Sequence, residues 1–287
     1  MTKKSQHASL AGKVVVITGA GSGIGRALAL RLAALGADLA LSDIDVDSVR
    51  ATAGPCEAAG ARVRVDGLDV TQRESVFAYA DEVRGHFGKV NQIYNNAGIA
   101  FYGEVAHESF KDIERVLDVN FWGVVNMTKA FLPHLIESGD GHIVNVSSLF
   151  GLITYPGQSA YNASKFAIRG FTECLRQEML LARHPVHVTC VHPGGIKTAV
   201  ARNATASEGL DAASIARVFD KRLALHSPEM AADTIIEGVR RRRARVLVGA
   251  EAKALDLLGR IAPVGSQRFG TWMSRLIRLA PRPGTTI

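Results

Sequence analysis

Short β-branched runs alternate with Ala- and Leu-rich stretches along most of this chain, from Lys13 to about Gly249. Lys13 to Thr18 reads Lys-Val-Val-Val-Ile-Thr, the unbroken apolar run expected of a strand buried on both faces. Comparable signals return at Asp38–Ser42, Arg62–Asp66, Asn91–Tyr94, Gly141–Ser147, Val186–Val191 and Arg245–Val248. Helical patterns fill the gaps: Arg26 to Gly36, closed by its glycine, then a start near Gln72, Ser109–Glu137, Gln158–Ala182 and a start near Pro228. Strands alternating with helices predict an α/β fold, a doubly wound parallel sheet of about seven strands with helices on both faces. No Pro/Gly/Ser-rich linker and no solenoid-type repeat divides the chain, so one domain is expected over residues 11–250. Lys197 to Ser227 carries no strong strand signal and is expected to form a lid of short helices over a substrate.

The turn after the first strand reads Gly19, Ala20, Gly21, Ser22, Gly23, Ile24 and Gly25, and a helix follows. Strand, glycine turn and helix in that order form a dinucleotide-binding element of the Rossmann type. The glycines let the backbone approach a pyrophosphate, and the helix N-terminus attracts its charge. The second strand ends at Asp43, where a carboxylate would accept hydrogen bonds from the adenosine ribose and repel a 2′-phosphate. Ser22 and Ile44 beside it are not basic. This points to NAD rather than NADP. The alternative for Asp43 is to cap the next helix.

Tyr161 and Lys165 stand four apart, on one face of a predicted helix, and Ser148 lies thirteen residues before the tyrosine. An ammonium held near a phenol stabilises the phenolate and lowers its pKa. With a serine hydroxyl to hold the substrate oxygen, such a set takes a proton from an alcohol or gives one to a carbonyl.

Together these segments resemble the short-chain dehydrogenase/reductase family. Thr18-Gly19-Ala20-Gly21-Ser22-Gly23-Ile24-Gly25 is similar to its TGxxxGxG signature, and Asn95-Asn96-Ala97-Gly98 to its NNAG segment. Asn120, Ser148, Tyr161 and Lys165 match its catalytic tetrad in order and spacing, and Pro193-Gly194 with Thr198 resembles its PGxxxT segment. The resemblance covers roughly residues 10–250, without a departure at a catalytic position. It implies a nicotinamide cofactor, NAD here, held by Gly19, Gly21, Ser22, Gly23, Ile24, Gly25, Asp43, Asp69, Val70, Asn96, Ala97, Gly98, Tyr161, Lys165, Pro193, Gly194, Ile196 and Thr198. It further implies that Asp69 fixes the adenine, with helix capping as its alternative. Asn120 would interrupt its helix and hold a water in a proton relay to Lys165. The two long helices, Ser109–Glu137 and Gln158–Ala182, would carry a homodimer or homotetramer interface.

Composition narrows the picture. At 287 residues and 47% hydrophobic the chain can bury a substantial core. Cys56, Cys174 and Cys190 show no CxxC spacing, which fits a reducing cytosol and gives no metal framework; no HExxH occurs, and no metal is expected. Met1 to Leu10 is polar and expected to be flexible, and no apolar run reaches membrane-spanning length, so a cytoplasmic protein is expected. The residues after the serine (Leu149, Phe150, Gly151, Leu152, Ile153, Tyr155) and after NNAG (Ile99, Ala100, Phe101, Tyr102) are mostly apolar. They suit a lipophilic secondary alcohol or ketone.

The charge is lopsided. Arg240 to Ile287 holds ten Arg and one Lys against Glu251 and Asp256, a net of +9 in a chain of +7, which leaves −2 for residues 1–239. Phe269, Trp272, Met273, Leu276 and Ala280 recur at helical spacing with Arg268, Arg275 and Arg278 between them. A basic amphipathic segment over 251–287 follows. Three readings stay open for it: packing on the enzyme or a second subunit, lying on an anionic membrane surface, or, least favoured, binding nucleic acid. A non-catalytic dinucleotide sensor or scaffold acting through this tail is the alternative function, and the intact tetrad disfavours it.

Overall fold

The computed structural model describes residues 10–277. The segment 1–9 and residues 278–287, which include Arg278 and Ala280 of the amphipathic pattern, lie outside the described residues. Chain order is β1 (Val14–Thr18), α1 (Gly23–Ala34), β2 (Asp38–Asp43), α2 (Val46–Ala58), β3 (Val63–Gly67), α3 (Arg73–Phe87) and β4 (Gln92–Asn95). There follow β5 (Phe101–Tyr102), α4 (Phe110–Leu117), α5 (Gly123–Glu137), β6 (Gly141–Val146), α6 (Ser159–Leu181) and β7 (Val186–Pro193). The last third holds α7 (Ala199–Arg202), β8 (Thr205–Ala206), α8 (Ala212–Arg222), α9 (Pro228–Arg240), β9 (Arg245–Val248), α10 (Ala250–Ile261) and α11 (Pro263–Ile277).

Seven strands form one parallel sheet in the order β3-β2-β1-β4-β6-β7-β9. The seven predicted strands are these seven, with ends shifted by a residue or two. β1 is wholly buried, and its side chains alternate between two cores. Val15 and Ile17 pack with Leu28 and Leu32 of α1 and Ile235 of α9. Val14 and Val16 pack on the other face with Val83 of α3, Phe131 of α5 and Leu175 of α6. Burying every position of a strand is what erases the hydrophobic–polar alternation in the sequence. The chain reverses direction across the sheet between β1 and β4, and a crevice opens there beyond the carboxyl ends of the strands.

The helix over 109–137 is interrupted at Asn120, as the resemblance implied: α4 ends at Leu117, Asp118–Trp122 makes a π-turn, and α5 begins at Gly123. One departure from the sequence reading matters. The stretch expected to hold only short helices contains a strand, β8, which pairs with β5. Its residues lack strand character; Ser207 N donates to the Tyr102 carbonyl, and tertiary contact supplies the structure.

Buried histidines make the sheet acid-sensitive. His142 in β6 bonds Thr189 Oγ1 at 2.8 Å, and burial pushes its pKa down from 6.5 to about 3. His192 in β7 is pushed to about 4, again chiefly by burial. Below pH 6.5 the unfolded chain therefore takes up protons that the folded one refuses, and stability falls as pH drops. Each imidazole contributes up to about 1.4 kcal/mol per pH unit of loss. Urea midpoints at pH 7 and pH 5 should show a smaller acid loss in His142→Gln than in the wild type; equal losses would refute the assignment.

Candidate active site

The glycine turn and the end of β2 meet first. Gly19 has φ of +64°, open to glycine at little cost, and a Cβ on Gly25 would meet the Gly19 carbonyl oxygen at 2.1 Å. Ser22 precedes α1 without a side-chain capping bond, and the first turn of α1 holds no acidic residue. Asp43 Oδ2 accepts from Gly21 N at 3.1 Å, and Oδ1 accepts from Asp45 N at 3.3 Å. The helix-capping alternative for Asp43 fails: Asp45 caps α2, accepting from Ser48 N. A carboxylate fixed against the glycine loop is what a ribose diol needs as its acceptor.

Thr18 ties this turn to the NNAG segment. Its hydroxyl accepts from Asn96 N and Ala97 N, both at 3.1 Å. Asn96 Nδ2 donates back to the carbonyls of Thr18 at 3.0 Å and Gly19 at 3.2 Å. Asp69 Oδ1 accepts from Thr71 N at 2.9 Å and Thr71 Oγ1 at 2.8 Å, while Gln72, not Asp69, occupies the cap of α3. Val70 is buried, and its carbonyl accepts from Asn126 Nδ2 at 3.0 Å. Thr198 precedes α7 without a side-chain capping bond and lies over the glycine turn: a Cβ on Gly23 would come within 3.2 Å of it. Ile196 is buried behind Pro193 and Gly194. Thr18 thus ties the glycine turn to the NNAG segment, Asp43 closes on Gly21 and Thr198 lies over Gly23; a glycine-rich turn beside a carboxylate acceptor fits a dinucleotide.

Asn120, Ser148, Tyr161 and Lys165 gather where β4, β6 and α6 meet. Asn120 is fully buried in the π-turn. Its Oδ1 accepts from Ile99 N at 2.9 Å, and its Nδ2 donates to Ile99 O at 3.0 Å and Ser164 Oγ at 3.0 Å. The amide is spoken for, so its side chain fixes the loop after Gly98, and a relay water would need other partners. Ser164 Oγ also donates to Tyr161 O at 2.8 Å, linking Asn120 to the tyrosine's helix. Ser148 Oγ accepts from Phe150 N at 3.1 Å, and the carbonyl of Ser148 is held by His192 Nδ1 at 3.0 Å. Lys165 is 4% exposed; its Nζ lies 5.5 Å from the Tyr161 ring centre and donates to Val146 O at 3.2 Å.

The electrostatics differ from the sequence expectation. Burial raises the Tyr161 phenol above its usual value, and the nearby Ser148 hydroxyl offsets this only in part. Lys165 is pushed down to about 8, mainly by its own burial. The lysine was expected to acidify the phenol. In this arrangement desolvation acts on both groups and outweighs their mutual attraction. The chain's own residues therefore hold Tyr161 as a protonated phenol at neutral pH.

The apolar segments divide. Phe150 meets Tyr161 edge-on at 6.4 Å between ring centres. Ala100 and Tyr102 pack with Tyr161 and with Ala204, Val200 and Ile215 of the segment 197–227. Leu149, Leu152 and Ile153 instead pack against Ala252 of α10; Phe101 packs with Val116 and Ala160. Fewer of these residues stand beside Tyr161 than the sequence suggested. Gln158 Oε1, Ser207 Oγ and Asp220 Oδ1 are buried without hydrogen-bond partners among the described residues.

The family model for short chain dehydrogenase matches residues 13–209. The chain belongs to the short-chain dehydrogenase family. An oxidoreductase of that family is accordingly what the crevice and its gathered side chains describe. The Mycobacterium tuberculosis protein SadH, named as an oxidoreductase, is 67% identical over 261 residues, covering 91% of this chain and 95% of SadH. Mouse estradiol 17-beta-dehydrogenase 11 is 32% identical over 256 residues, 89% of this chain and 81% of that protein. A short-chain dehydrogenase/reductase structure from Burkholderia phymatum in complex with NAD superposes with a TM-score of 0.80 at 29% identity, covering 96% of this chain and 99% of that one. A metagenomic short-chain oxidoreductase in complex with NADP gives a TM-score of 0.68 at 28% identity, over 83% of this chain and 97% of the other.

Several residues of this short-chain dehydrogenase escaped the sequence reading. His192 had no assigned orientation, yet it braces Ser148. Glu251, counted only as a charge of the tail, reaches back to the loop after β7. Its Oε1 accepts from Gly195 N at 3.3 Å, and its Oε2 pairs with His226 Nε2 at 2.8 Å. A Cβ on Gly194 would strike the same carboxylate at 2.1 Å. No local motif announces such a contact, because 56 residues separate the partners. Among the described residues no group of three or more His, Cys, Asp or Glu side chains is arranged to hold a metal ion, and no helix is long and apolar enough to cross a membrane.

Proposed function

We propose that the chain moves a hydride between NAD(H) and a lipophilic secondary alcohol or ketone, with Tyr161 as the general acid and base. The observation that carries this reading is the convergence of Ser148, Tyr161 and Lys165 at the mouth of a crevice whose far side ends at Asp43. NAD, when bound, would accept or deliver the hydride. Tyr161 gives its proton to the carbonyl oxygen in reduction, or takes the hydroxyl proton in oxidation. Ser148 holds the same oxygen and is itself braced by Phe150 N and His192. Lys165 stands behind Tyr161 and, in line with the family resemblance, binds the nicotinamide ribose. Asn120 keeps the Gly98–Ile99 backbone in place through two hydrogen bonds.

Phe150, Tyr102, Ala204 and Ile215 around Tyr161 support an apolar ligand, and the similarity to an estradiol dehydrogenase points the same way. A panel of lipophilic secondary alcohols and ketones, followed by reduced-nicotinamide absorbance, tests the reading. Turnover of none would sink it. Asp43 supports NAD over NADP, since its carboxylate would repel a 2′-phosphate. Fluorescence titration should give tighter binding of NADH than NADPH, and Asp43→Ser should narrow the gap by roughly tenfold or more, from the loss of a charged hydrogen bond. Tighter NADPH binding by the wild type would overturn the role of Asp43. Exposed Phe110, Trp122 and Phe166 on and between α4 and α6 support a homodimer or homotetramer built on these helices.

A further inference from the structure

We infer that the paired helices α10 and α11 form a docking face for an anionic lipid bilayer. Three readings are open for the basic tail, and α11 buries its small residues and not its aromatic stripe. Its small residues Ser266, Gly270 and Ser274, spaced four apart, are the ones buried. A Cβ on Gly270 would lie 3.1 Å from Thr154 O, and one on Gly259 of α10 would lie 3.0 Å from Ile153, so this side is closed against the catalytic body. The apolar side chains face outward: Leu257 is 56% exposed, Ile261 75%, Val264 61% and Trp272 56%, with Phe269 at 36%. Phe269 and Trp272 lie side by side, ring centres 5.8 Å apart.

The charge around them decides the occupant. By helical spacing Arg268 and Arg275 share the outward side with Trp272, and both are exposed. Neither belongs to an ion pair within the hydrogen-bonding reach of the described residues. A second copy of the chain would bring the same arginines to the contact, and like charges would repel across it. An anionic bilayer meets both demands at once: headgroups take the guanidinium groups, while Trp272, Val264 and Ile261 enter the acyl boundary. Within α10 and α11, Lys253, Arg260, Arg268 and Arg275 stand against Glu251 and Asp256, so these two helices are net positive in a chain whose residues 1–239 are net negative, which favours this face toward an anionic surface. The inference stands on this surface alone and does not depend on which alcohol or ketone is the substrate.

The test is co-sedimentation of the full chain with phosphatidylcholine vesicles, with and without phosphatidylglycerol, at low and high salt. Binding is expected only with phosphatidylglycerol and should weaken as salt rises. Removing both charges in Arg268→Gln/Arg275→Gln should cost roughly 25-fold in vesicle affinity, at about fivefold per arginine near an anionic surface. Trp272→Ser should also weaken binding, while Trp122→Ser, in the turn between α4 and α5, should not. Because these side chains are exposed, cofactor binding and thermal midpoint should stay at wild-type values. In a Trp122→Phe background, emission of the remaining Trp272 should shift to the blue on adding the anionic vesicles. No sedimentation at low salt, or equal sedimentation of the arginine variant, overturns the inference. So does a Trp272→Ser protein that loses its oligomeric state, since the face would then be a subunit interface.

Discussion

Tyr161→Phe is expected to lower kcat by about 10²–10⁴-fold and to leave NADH binding intact. The substitution removes one oxygen from a ring already packed among Ala100, Tyr102 and Phe150, so the crevice keeps its shape. What disappears is the only hydroxyl on α6 that stands beside Ser148 and in front of Lys165. The wild-type pH profile should carry a second signature. Because burial raises the Tyr161 phenol, the ready form at neutral pH is the acid, suited to ketone reduction. Oxidation needs the conjugate base, so its kcat/KM should climb with pH well above neutrality. Steady-state rates in both directions across pH check this. A phenylalanine variant with most of its kcat, or an oxidation rate flat with pH, would remove Tyr161 from the proposed role.

Lys165→Met should separate catalysis from stability. Activity is expected to fall by at least about a hundredfold, the low end of what a group in the proton-transfer machinery contributes. Stability should move the other way. The amine titrates near 8 in the folded chain and at 10.5 unperturbed, because burial disfavours its charged form. Between those values the unfolded chain holds a proton that the folded chain has released. Wild-type stability therefore rises with pH across this window, and at pH 7 the buried ammonium withholds up to about 3 kcal/mol. Methionine matches the length of the stem and removes the burden, so the variant should melt higher at pH 7 and show a flatter profile from pH 8 to 10. Chemical denaturation over that range is the measurement. A profile parallel to the wild type would mean the amine is not desolvated as the structure has it.

Much of the frame could be read from the chain because its signals are local. A parallel strand buried on both faces leaves a continuous apolar run, as in Val14 to Ile17, whereas the edge strand β3 keeps Arg64 between its valines. The turn from Gly19 to Gly25 needs glycine for backbone approach, so composition alone marks it. Spacing also placed Tyr161 and Lys165 on one helix and Ser148 just beyond a strand. Other features depend on distant partners. Strand β8 is two residues held by the backbone of β5, with nothing in its side chains to announce it. Leu152 and Ile153 looked like pocket walls until α10 came to rest on them. The tail's periodicity was correct, but periodicity gives an apolar face and not its direction. The small residues Ser266, Gly270 and Ser274 decided that direction by allowing close approach on their own side. The pKa of Tyr161 was misjudged for a related reason: spacing reveals a neighbouring cation, whereas desolvation depends on everything else around it.

The π-turn at Asp118–Trp122 also constrains how this enzyme can change. A π-turn fits one more residue into the helix than regular winding would take. Removing a single residue there would let one straight helix run through, with α4 and α5 keeping their faces and only the turn itself rewound. Asn120 would leave Ile99 and Ser164, although no tetrad residue had been replaced. The spacing of this segment is thus as much a part of the catalytic apparatus as the identity of its asparagine, and length variation among relatives should avoid it.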